Sequence, residues 1–118
     1  MLVTHIVSAR AWWFHTRMGE GSADLAPLGL WDENEEEPLR PAAELVAGLE
    51  RTWQMIQNAL AHLTPADLEQ VFPHPDGGDR PARSRQWMIW HVLEHDIHHG
   101  GELSYILGAH GLAAVDLE

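Results

Sequence analysis

Across residues 84–107 apolar side chains return at three- and four-residue steps, through two adjacent glycines and out the other side in phase. Trp87, Met88, Trp90 and Val92 precede Gly100-Gly101; Leu103, Tyr105, Ile106 and Leu107 follow. A glycine inside a helix costs about 1 kcal/mol relative to alanine. Because the period survives both, the spacing predicts one continuous helix, capped by Ser84 and stopped at Gly108. No segment alternates apolar and polar residues for long, and β-branched residues are few, so little is left for a sheet. The expected fold class is all-α, with three main helices and a short one.

The other elements are read the same way. Residues 1–18 show a helical period in Leu2, Ile6, Ala9, Trp12 and Trp13, with no capping residue in front, and Gly19-Glu20-Gly21 ends it. Residues 19–41 read as a long connection with a short helical turn around 22–26 and a solvated acidic run from Asp32 to Glu37. Leu45, Val46, Leu49, Trp53, Ile56, Leu60 and Leu63 mark one face of a helix over 42–63. Thr64-Pro65 reads as an N-cap with proline at the first helical position, opening a short helix to about Val71. Residues 72–83 read as a loop from their proline, glycine and aspartate content. The tryptophans are expected in the core.

Composition bounds the function. Seven basic residues face eighteen acidic ones, a formal charge of −11. That argues against nucleic acid, which demands clustered cations, and against an anionic membrane surface. There is no cysteine, hence no disulfide, thiolate metal site or cysteine nucleophile. Without a long apolar run or an apolar signal region, a cytoplasmic location is expected. The length suits a single domain over residues 1–118.

The stretch WHVLEHDIHHGG at 90–101 holds four of the nine histidines. His91, His95 and His99 are spaced by four and share a helical face with Met88, Val92 and Ile106, so the stripe points inward. A pair four apart can chelate one metal ion. His5, on the apolar side of the first helix, is the candidate third ligand. Three protein ligands with an open position is the pattern of a catalytic metal site. The other reading is that these are hydrogen-bonded core histidines or a pH-sensitive patch. His15, His62, His74 and His110 read as surface or loop residues.

The segments THIVSARAWWF and WHVLEHDIHHGGELS, taken together, resemble the second and last helices of the DinB-like (DNA-damage-inducible, YfiT-like) metalloprotein superfamily. The resemblance implies an up-down helix bundle with a three-histidine site, its ligands falling on His5, His95 and His99. The implied cofactor is a divalent ion such as zinc, nickel, iron or manganese. His91 and His98 become neighbours of the site, with His98 able to hydrogen-bond around it. Many relatives read HHRGQ where this chain reads HHGGE. Glu102 is therefore open as a fourth ligand, a general base or an outer partner. The family's first helix would precede Met1, so either the natural chain is longer or a partner fills the gap; an exposed face bearing His5, Trp12 and Trp13 points to the partner, and a homodimer is expected. Relatives of this kind include thiol-dependent transferases. The implied activity is metal-dependent thiol (S-)transfer with a low-molecular-weight thiol co-substrate. The alternatives are a hydrolase acting through metal-activated water and a non-catalytic metal-binding stress-response module.

Overall fold

The computed structural model describes residues 1–33 and 39–116. Helix α1 spans Leu2–Ala11 and runs without a break into a π-helical segment, Trp12–Arg17. The wider turn carries into the helix end. Gly19, at φ 75, lets the Glu20 N–H reach back to the Phe14 carbonyl at 2.9 Å, one residue further than an α-helical end would need. The continuous helix expected over 1–18 is present, but the widening was not legible in its sequence.

The connection after it is more ordered than a solvated loop. Ala23–Leu30 forms a 3-10 helix whose Leu25 and Leu28 are buried against α1. Ser8 Oγ donates to the Gly29 carbonyl at 2.9 Å, fixing the segment on α1. The short turn expected at 22–26 is thus longer and part of the core, because its leucines repeat every three residues. The acidic run lies outside the described residues from position 34 onward.

Helix α2, Ala42–His62, buries Gly48, Thr52, Met55, Ile56 and Ala59. This corrects the expected face in part. Ile56 is buried and Leu49 and Leu63 pack against the core as expected, but Val46, Trp53 and Leu60 are exposed. The apolar arc of α2 is wider than its neighbours cover, and α1 takes the side lined by small residues. Gly48 allows this approach, since a Cβ there would sit 2.7 Å from the Trp31 ring. The short α3, Pro65–Glu69, opens on a capping box in which Thr64 and Asp67 each satisfy the other's backbone N–H. Hydrogen bonding to Thr64 holds the Asp67 carboxyl below its ordinary range. Strands β1 (Val71–Phe72) and β2 (Arg83–Ser84) pair antiparallel and close the loop expected at 72–83 at its base.

Helix α4, Arg85–Ala109, passes through Gly100 and Gly101 as the period predicted. Its stop is Gly111 at φ 70, not Gly108: the Gly111 N–H bonds the Gly108 carbonyl and the Leu112 N–H bonds the Leu107 carbonyl. Helix α1 lies between α2 and α4, and Val7, Phe14, Met88 and Thr52 are fully buried at the centre. Trp53 and Trp90 stand exposed, which corrects the expectation that all the tryptophans are core. Ile106 is also exposed, because the last turns of α4 run past α1. None of the described helices is long and apolar enough to cross a membrane.

Candidate metal centre

The central helix and the last helix are tied by an ion pair next to the histidines. Arg10 Nε donates to both carboxylate oxygens of Asp96, at 3.2 and 2.9 Å. Burial pushes the Asp96 carboxyl up, against the pull of Arg10. This clamp sets α1 against α4 so that His5 faces His95. Their Nε2 atoms lie 2.9 Å apart across 90 residues of sequence. The His99 ring is 4.3 Å from that of His95 and 4.9 Å from that of His5. One nitrogen from each of the three rings lies within 4.8 Å of the others. The three histidines singled out from spacing and resemblance therefore do come together.

Two of the three rings are held through a second nitrogen. His5 Nδ1–H donates to Asp32 Oδ2 at 2.5 Å, and His99 Nδ1–H donates to Glu102 Oε2 at 2.6 Å. A carboxylate on one ring nitrogen favours the proton there and frees the other nitrogen to act as a ligand, which in His5 is the Nε2 that faces His95. His95 differs, since its Nδ1 is buried with no hydrogen-bond partner. Its orientation is set by what its Nε2 meets. Desolvation, reinforced by the neighbouring histidines, pushes the His95 pKa down to about 4. The ring is then neutral at physiological pH, the form a metal requires. Three imidazoles, two of them backed by carboxylates, make a donor set that fits a divalent transition-metal ion.

The remaining candidates are placed as follows. Glu102 lies outside the triad and clusters with His98 and His99, one ligand atom of each within 4.8 Å of the others. It sits on the outer nitrogen of His99, and that hydrogen bond holds its carboxyl below the ordinary value. His98 is exposed, 3.6 Å from Glu102. His91 stacks on Trp87, with centroids 5.0 Å apart and 9° between planes, and its ring is 6.5 Å from His95. His15 Nδ1 meets the Glu20 carbonyl, His62 reaches Glu20, and His74 lies in the 72–83 loop. The patch expected around His5, Trp12 and Trp13 is half-buried, since Trp13 packs edge-on to both Trp87 and His91. Exposed apolar side chains lie instead on the outer side of α4, in Trp90, Leu93 and Ile97, and on α2, in Val46, Trp53 and Leu60.

Sequence reasoning missed Asp32. It read as the first residue of a solvated acidic run, and no local pattern ties it to a histidine 27 positions earlier. Residues 2–103 match the family model described as the DinB superfamily. No curated protein and no solved structure matches the chain.

Proposed function

This chain belongs to the DinB superfamily, and on that premise we propose that it binds a divalent metal ion through His5, His95 and His99 and transfers a low-molecular-weight thiol to an electrophile. The observation that carries the reading is the convergence of three imidazoles from two helices, with Asp32 and Glu102 on the outer nitrogens of two of them. A divalent ion in such a site supplies a Lewis acid that lowers the pKa of a coordinated thiol or water. The chain's own residues do the rest. Asp32 and Glu102 hold two rings with their lone pairs inward, and Arg10–Asp96 keeps the two helices in register. With no cysteine in the chain, the sulfur comes from the co-substrate. Engagement of Glu102 by His99 argues against its use as the free base that a hydrolase would need.

The test is metal content of tag-free protein alongside His5→Ala, His95→Ala and His99→Ala. About one ion per chain is expected, lost in each variant. Asp32→Asn and Glu102→Gln should weaken metal affinity by about 10- to 100-fold. Thiol-dependent loss of monobromobimane, measured with the metal so identified, then tests the transferase step. Protein that takes up no ion on titration would overturn the whole reading. Metal binding with thiol-independent ester cleavage would overturn the transferase alone.

The same reading includes self-association through the outer face of α4. Trp90, Leu93, Ile97 and Gly100 follow a three-four spacing there. An antiparallel second copy would set Trp90 against the partner's Gly100 and Leu93 against the partner's Ile97. A Cβ on Gly100 would meet nothing within 4 Å in this chain, so the space is open to an incoming ring. Sedimentation should show a dimer that Trp90→Glu dissociates; a wild-type monomer at high concentration would refute it.

A further inference from the structure

A second site stands apart from the histidines. All seven basic residues are arginines, and three of them, Arg17, Arg80 and Arg83, line one cavity of about 240 Å3. Trp13, Trp87 and His74 complete its walls. In a chain of net charge −11 this is a concentration of positive charge where acidic side chains would be expected by number. The pairing pattern sharpens the point. Arg10, Arg40, Arg51, Arg80 and Arg85 each hold a carboxylate within 3.3 Å. Arg17 and Arg83 hold none among the described residues.

Arg17 is only 8% exposed. One of its N–H groups donates to the Pro73 carbonyl at 3.1 Å, and its guanidinium lies 5.3 and 5.4 Å from the rings of Trp12 and Trp13. Arg83 lies 4.3 Å over Trp87. Cation–π contact offsets part of the desolvation of a guanidinium but supplies no acceptor for its N–H groups. A buried cation without a counter-ion is costly, and unused donors in a cavity are what an anion would satisfy. Asp76 offsets Arg80 alone, at 3.3 Å on the exposed rim.

We infer that this cavity binds a small organic oxyanion, its carboxylate or phosphate held by Arg17 and Arg83 and its apolar part lying against the edges of Trp13 and Trp87. The volume equals about eight waters at roughly 30 Å3 each, which suits a benzoate-sized molecule. Arg83 and His95 are twelve residues apart on and beside α4, roughly 18 Å at the helical rise, so the cavity is separate from the triad. The inference stands whether or not the histidines hold a metal.

The experiment is calorimetric titration of the whole chain with benzoate, with inorganic phosphate and with neutral benzamide, at constant ionic strength and low chloride. Saturable binding of benzoate or phosphate with Kd of about 1 mM or tighter is expected, with benzamide not binding. Benzoate alone would identify a planar carboxylate site, and phosphate alone a tetrahedral one. Arg83→Gln, on the half-buried wall, should weaken binding by about tenfold or more while keeping the wild-type melting temperature. Arg17→Gln should abolish binding, and where it fails to fold, Arg83→Gln carries the test. No saturable binding of either anion, equal binding of benzamide, or unchanged affinity in folded Arg83→Gln would overturn the inference.

Discussion

Removing Arg85 should cost more than any exposed charge in this protein. Arg85 and Glu20 join the start of α4 to the turn after the π-helical segment, at 2.8 Å, with side chains only 8% and 11% exposed. The same guanidinium donates to Gln70 Oε1 at 2.9 Å and to the Asp67 carbonyl at 3.2 Å, and lies over Phe72 at 4.9 Å. Arg85→Met keeps most of the volume but removes every one of these donors. It leaves the Glu20 carboxylate nearly buried, with only His62 at 3.3 Å. Breaking one side of such a pair costs about 3–5 kcal/mol, a large part of the roughly 5–15 kcal/mol that holds a domain folded. Glu20→Gln keeps an acceptor oxygen and should cost only about 1–3 kcal/mol. Because each single change strands the other partner, the double variant should fall short of the sum by about 0.5–3 kcal/mol. Urea unfolding followed by tryptophan fluorescence gives all three values. Arg85→Met within about 1 kcal/mol of wild type, or a strictly additive double variant, would refute the reasoning.

Other predictions separate glycines by their surroundings. Gly48→Ala drives a Cβ to within 2.7 Å of Trp31 and 3.1 Å of Val7, and should destabilise by about 1–3 kcal/mol. Gly101→Ala meets nothing within 4 Å and should stabilise by up to about 1 kcal/mol. Thermal melting checks both, and a reversed order would count against the packing described. Acid should also weaken the metal-free fold. His95 is held neutral down to about pH 4, whereas in the unfolded chain it protonates near 6.5. Stability is therefore complete above 6.5 and is lost as pH falls toward 4. Solvent screening at this half-open site holds the contribution to about 1–2 kcal/mol. Urea midpoints of chelator-treated protein near pH 7 and near pH 5 should differ less in His95→Gln than in wild type. Equal differences would show that His95 is not responsible.

The helices were legible because periodicity reports which face is apolar, and α4 runs through its glycines as the phase required. Periodicity does not report how much of that face a neighbour covers. Val46, Trp53 and Leu60 obey the α2 pattern yet stay exposed, because α1 packs against the side where Gly48 and Ala59 permit close approach. His5, His95 and His99 were found through helical spacing together with family resemblance. Asp32 was not, since it reaches His5 from a connection with no regular period. The Arg17–Arg83 cavity was equally hidden, being assembled from a widened helical turn, a loop and the first turns of α4.

The separation of 90 positions from His5 to His95 has a consequence in time. A chain growing at about 5–20 residues per second completes α1 roughly 5–20 seconds before the helix that faces it exists. During that interval Arg10 and Trp13 lack their α4 partners, and His5 can reach only Asp32. The triad is thus assembled last and can exist only on a chain whose two ends have already found each other. If it binds an ion as proposed, uptake would report that α1 and α4 have met, and opening of α4 alone would abolish it while α1 and α2 remained packed.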